Sequence, residues 1–118
     1  MNINEIADRA HYHAVKAGFY KDDAKHEIIE KISEESMELM SSIVLNHNCD
    51  IDIFERDVNT YNEKTFPIRF EKVVKNSIGD EMADNILLLL AASRELNIDI
   101  EKHITYKQKY NSLRDDHK

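Results

Sequence analysis

The sequence predicts an all-α fold, and three observations carry the prediction. Glycine occurs twice and proline once, too little turn chemistry for a β-sandwich or barrel. Long stretches of Glu, Lys, Ile, Leu, Asn and Asp run without a breaker, and their apolar residues recur every three or four positions. At 118 residues the chain fits a single domain, residues 1–118, with one core. The expected architecture is an antiparallel helical bundle of four main helices, about 2–17, 23–46, 67–96 and 99–114, with a long connection at 47–66.

The first helix follows from Asn2, an N-cap with Glu5 able to reach back, and from Ile3, Ile6, Ala7, Ala10, Ala14 and Val15 at helical spacing. Gly18 suits a left-handed cap that ends it. Asp22 and Asp23 can open the second helix, whose stripe of Ile28, Ile32, Leu39 and Ile43 is widened by Ile29, Met40 and Val44. Residues 47–66 show no sustained period, apart from a short helix expected over 51–58. A connection of this length in a small domain is commonly functional or mobile. Pro67 suits the first turn of the third helix, which continues through Phe70, Val73, Val74 and Ile78 into the block Ile86–Ala92. That block is apolar on every face and is expected at the centre of the bundle. Asn97 can stop this helix and Asp99 can cap the last, which carries Ile100, Ile104 and Lys107.

Charge narrows the function classes. With 23 acidic against 16 basic residues the net charge is −7, which disfavours binding to a nucleic acid polymer. The same charge repels a free triphosphate, so phosphate chemistry here requires cations between side chains and substrate. No stretch reaches the roughly 18–20 apolar residues of a membrane span, and the N-terminus lacks the regions of a signal peptide, so a cytoplasmic location is expected. The lone Cys49 has no intramolecular disulfide partner and no second thiolate for a metal site.

The acidic residues are placed unusually. Positions 28, 32, 35 and 39 share one helix face, so Glu35 occupies a slot where an apolar residue belongs. Glu38 lies about 60° around and about 4.5 Å along the helix from it, and Glu34 stands one turn before Glu38. In the third helix Ile78, Glu81, Asn85, Leu88 and Ala92 line one face, with Asp84 one turn beyond Glu81. Asp84 precedes the apolar block, a costly place for an unpaired charge. Like charges at these spacings repel more strongly as water is withdrawn, and a divalent cation reverses that cost. Carboxylate oxygens are the preferred ligands of Mg2+, which completes its octahedron with water and substrate phosphates. Spacing alone leaves two readings open, a cation site or two solvated, charged helix faces.

Several segments together resemble a known family. EESME at 34–38 and EMAD at 81–84 resemble the EExxE and ExxD signature of the MazG-like, all-α nucleoside triphosphate pyrophosphatases. DEMADNILLLLAASRELNIDIEK is similar to that family's acidic helix, apolar block and turn, KQKYN at 107–111 to its Lys-x-x-x-Asn element, and NEIADRAHYHAVKAGFY to the first helix of its smaller members. Two departures stand out: the stretch between Glu38 and Glu81 is longer than the signature usually allows, and Ala83 replaces the usual glycine. The resemblance implies hydrolysis of a (deoxy)nucleoside triphosphate to the monophosphate and pyrophosphate. It implies Mg2+, with Mn2+ as a substitute, held by Glu35, Glu38, Glu81 and Asp84 with Glu34 at the edge. Glu38 or Glu35 would be the general base. Lys107 and Asn111, one turn apart, would hold phosphate oxygens with Arg114 on the same face. Apart from the resemblance, Phe19 and Tyr20 are aromatic candidates for stacking on the base. A homodimer or homotetramer is expected, because the family's sites lie near subunit contacts.

Bland and rival readings stand beside these. Lys107 and Arg114 also fit solvated surface charges, and Phe19 with Tyr20 fits a core plug. His11 and His13, two apart on a helix, cannot face one site together. A carboxylate-bridged di-iron bundle requires Glu-x-x-His on two helices, and the sequence contains none. A non-enzymatic helical interaction module retaining the acidic motif is the remaining alternative.

Overall fold

Helix boundaries follow local capping chemistry closely. The structure, a computed structural model, describes residues 2–114, and these form six α-helices and one 3₁₀ turn with no strand among the described residues. The helices are α1 Ile3–Lys16, α2 Ala24–Val44, α3 Ile51–Arg56, α4 Thr65–Val73, α5 Ile78–Glu95 and α6 Ile100–Leu113. The fold class is therefore all-α, as the sequence predicts.

Helix starts use short polar side chains to satisfy free N–H groups. Asn2 Oδ1 accepts from the Glu5 N–H at 2.8 Å, and Asn2 Nδ2 donates to the Glu5 carboxylate at 3.1 Å. Asp23, Asp50 and Asp99 cap α2, α3 and α6 in the same way. Helix ends use left-handed residues, and the scarcity of glycine leaves asparagine to supply most of them. Gly18 (φ 100°) ends α1, while Asn46 (φ 53°) and Asn97 (φ 57°) end α2 and α5. At each, paired backbone bonds close the turn, such as Phe19 N–H to Ala14 C=O and Gly18 N–H to Val15 C=O, both 3.0 Å.

The expected third helix is two. It stops after Val73, turns through Asn76 (φ 68°), and restarts at Ile78. Ser77 is fully buried and its Oγ accepts from the Asp80 N–H, while Asp80 Oδ2 accepts from the Asn76 N–H at 2.8 Å. This Ser-x-x-Asp cap overrides the apolar periodicity that runs across the break. The 47–66 connection also holds more structure than expected: α3, the 3₁₀ turn Val58–Thr60 and the start of α4.

The described chain forms two compact units. The first holds the residues up to 29 and from 87 onward, so it contains α1, α6, the start of α2 and the end of α5. Small residues line its interior, with Ala7, Ala91 and Ala92 buried beside Ile28 and Leu90. Polar bonds fasten α1 to its neighbours: the Ile3 N–H to Glu101, Asn4 to Asp99, and Arg94 to Asp8. His11 Nε2 lies 3.0 Å from Glu95, and its ring stacks on Tyr20. The second unit spans 30–86. Phe54 is buried at its centre, with Tyr61, Phe66 and Phe70 packed at 5.3–6.0 Å between ring centroids. The Ile78 N–H donates to the His47 C=O at 2.8 Å, which ties the start of α5 to the turn after α2.

The apolar block of α5 is not wholly enclosed. Leu90, Ala91 and Ala92 are buried, but Ile86 and Leu89 are more than half exposed. The widened stripe of α2 behaves likewise: Ile28 is buried, whereas Ile29, Met40 and Val44 face solvent. A helix apolar all round needs cover on every side, and one chain supplies it on one side only.

Candidate metal centre

Glu35 and Glu38 of α2 and the acidic residues of the first turns of α5 belong to the same unit, 30–86, which brings sequence-distant carboxylates together. One oxygen each from Glu35, Glu38 and Glu81 lies within 4.8 Å of the others. A second group of the same dimensions joins Asp80, Glu81 and Asp84. Glu81 is common to both, and it is the most enclosed of the set, at 5% exposure.

Repulsion dominates the electrostatics of this arrangement. Burial, then the charges of Asp84, Glu38, Asp80 and Glu35, raise the Glu81 carboxyl above the usual range. Glu35 is raised by burial first, then by Glu38 and Asp84, with Lys31 opposing. Asp84 keeps an exposed edge, yet loss of water around its carboxyl comes first, followed by Asp80 and Glu38. Neither Glu35 Oε2 nor Glu81 Oε2, both buried, has a hydrogen-bond partner among the described residues. A buried acceptor without a donor costs roughly 1–3 kcal/mol, and more when charged. Carboxylates converging at short range, two of them with a buried and unpartnered oxygen, fit the hard, oxygen-seeking character of Mg2+.

Other expected site residues lie elsewhere. Glu34 points to solvent and pairs with Lys31 at 3.2 Å, and it belongs to neither carboxylate group. Phe19, Lys107, Asn111 and Arg114 are in the other unit. There, Lys107 Nζ and the Arg114 guanidinium lie 5.0 and 5.1 Å from the Tyr110 ring centroid, and Asn111 Oδ1 is buried with no partner among the described residues. Phe19 is half-buried and tilted against Tyr20. Sequence reasoning missed Asp80. Its signal was the Ser-x-x-Asp pattern, since the cap that starts α5 also sets its carboxylate beside Glu81.

A groove of about 330 Å³ opens beside the carboxylates. Glu38 and Glu81 line it; Ser41, Ser42, His47 and Asn76 add polar groups, and Leu45 an apolar one. No helix among the described residues is long and apolar enough to cross a membrane. No family model, no curated protein and no solved structure matches the chain.

Proposed function

We propose that the chain is a Mg2+-dependent nucleotide pyrophosphohydrolase of the MazG-like kind, converting a (deoxy)nucleoside triphosphate to the monophosphate and pyrophosphate. The observation that carries this reading is the pair of buried, unpartnered oxygens on Glu35 and Glu81, converging with Glu38 in a chain of net charge −7. Glu35, Glu38, Glu81 and Asp84 would hold the cation, with Asp80 beside Glu81. Mg2+, or Mn2+ in its place, would neutralise the triphosphate and acidify the attacking water.

The chain's own residues account for the remaining chemistry. Water attacks the α-phosphorus, the bond from that phosphorus to the bridging oxygen breaks, and pyrophosphate departs with the bonding electrons. The proton of the water passes to Glu38 or Glu35. Glu38 is the more accessible, standing exposed at the groove wall, whereas Glu35 is half-buried. The groove has the lower range of volume typical of small-molecule sites, and its serines, His47 and Asn76 offer hydrogen bonds to sugar and base. Lys107, Asn111 and Arg114 are the candidates for phosphate contacts by the resemblance of KQKYN to the family's element, and Phe19 is a candidate for stacking on the base as an aromatic side chain.

The exposed stripe Met82, Ile86 and Leu89 on α5 supports self-association as a homodimer or homotetramer. Light scattering on Met82→Glu and Ile86→Glu tests this, with a shift to monomer expected. A cytoplasmic location accords with a lone cysteine that needs no oxidising compartment.

The enzymatic test is pyrophosphate release over a panel of ribo- and deoxyribonucleoside triphosphates with Mg2+, with EDTA, and with Glu38→Gln. Turnover that requires the metal and falls at least about 100-fold in Glu38→Gln is expected. Metal-independent turnover would sink the metal-dependent mechanism, and no turnover on any triphosphate would sink the enzyme reading and favour the non-enzymatic module.

A further inference from the structure

One neutral side chain connects the two acid-bearing helices. Asn85 is half-buried on the face of α5 that carries Glu81, in a slot where an apolar residue would pack. Its Nδ2 donates to the Glu35 C=O on α2 at 3.0 Å and to the Glu81 C=O on its own helix at 2.8 Å. A buried amide is tolerated when its hydrogen bonds are made, and both donors are used here. Their acceptors are the backbones of the two residues whose Oε2 atoms are buried without partners.

That coincidence has a mechanical meaning. The α2 carboxylates, Glu38 first and Glu35 after it, repel Glu81 on α5, and the unopposed response of two helices would be to separate at this level. The Asn85 amide resists separation by holding the Glu35 backbone to α5. Side-chain rotamers then move the carboxylates about nearly fixed anchor points.

We propose that Asn85 is a positioning residue that fixes the Glu35–Glu81 spacing and thereby selects a small divalent cation, Mg2+ or Mn2+, over Ca2+. The inference rests on the metal reading given above. Mg2+ requires near-ideal octahedral geometry with oxygens at about 2.0–2.1 Å, whereas Ca2+ accepts six to eight oxygens at about 2.3–2.6 Å in a loose shell. A narrow, rigid pair of carboxylates favours the smaller ion, and a loosened pair still serves the larger.

The test is calorimetric titration of the full chain with MgCl2 and with CaCl2, in wild type, Asn85→Leu and Asn85→Ala. Leucine keeps the volume, alanine keeps the helix, and neither can bridge the two carbonyls. Mg2+ affinity is expected to fall roughly 10–100-fold in both variants while Ca2+ affinity changes less than about threefold, as for loss of an outer-shell support. Equal losses for both ions, or no loss for either, would assign Asn85 to helix packing alone and overturn the inference. Wild-type protein that binds neither ion would overturn the metal reading and the inference with it, an outcome visible before any variant is examined.

Discussion

Replacing Glu81 with glutamine separates a metal centre from an ordinary charged helix face, because only a metal centre loses a Mg2+-dependent gain in stability on top of the relief of like-charge repulsion. Glu81 is shared by both carboxylate groups, whose oxygens lie within 4.8 Å of one another. At that distance two unit charges repel by roughly 3 kcal/mol at an effective dielectric constant of 20. Glu38 and Asp84 are exposed, and proton uptake discharges part of the cluster, so about 1–2 kcal/mol remains as net destabilisation near neutral pH. Without metal, Glu81→Gln is therefore expected to raise Tm by roughly 4–10 °C for a chain of this length. Mg2+ at a hundred times its Kd stabilises the wild type by about 2.7 kcal/mol. Most of that gain disappears in Glu81→Gln, which lacks the shared ligand. Circular dichroism melts in EDTA and in Mg2+ measure both effects. A metal-free variant that melts below the wild type, or one that keeps the full Mg2+ increment, would refute the reasoning.

Other consequences are measurable with the same melts. The folded pKa values of Glu35, Glu81 and Asp84 are raised above their unfolded values, so their contribution to stability is fully present at low pH and lost as pH rises through the folded values. Metal-free protein should accordingly gain stability as pH falls from neutrality toward the carboxylate range; a monotonic loss over that interval would contradict the assignment. Phe54→Ala removes the buried ring at the centre of the aromatic cluster and should cost about 3–5 kcal/mol in urea unfolding. Asn97→Ala puts a Cβ-bearing residue without a local polar partner at φ 57° and should cost about 1 kcal/mol, whereas Asn97→Gly should be tolerated.

The legible parts of the fold were those governed by local chemistry. Asn2 with Glu5, Gly18, and Asp99 each mark a helix end through bonds to neighbouring backbone, and the structure places ends there. The break between α4 and α5 was hidden because Val73, Val74 and Ile78 keep helical spacing across it. Two residues decide it, Asn76 by entering the left-handed region and Ser77 by capping α5, and capping outweighed periodicity. The exposure of Ile86 and Leu89 was hidden for another reason. Apolarity says that a face needs cover, not that its own chain provides it.

The candidate site divides in the same way. Glu35 and Glu81 were legible as charges interrupting apolar stripes, and the structure brings them together with Glu38. Glu34 lies one position away but faces Lys31, a difference in direction of about 100° around the helix. Asp80 escaped notice because its capping role is local, while its place beside Glu81 and Asp84 depends on α5 starting at Ile78.

The bond from the Ile78 N–H to the His47 C=O gives the long intervening segment an unusual freedom. Residues 48–77 leave and return at one point, and Phe54 and its ring neighbours give the excursion a small core of its own. It is attached like a cassette between two fixed clips. The entropy of closing such a segment grows only with the logarithm of its length. Shortening, lengthening or exchanging residues 48–75, with the Asn76–Ser77 cap of α5 kept, should therefore leave the register of Glu35 and Glu38 against Glu81 unchanged, making this the part of the chain most open to replacement by another sequence.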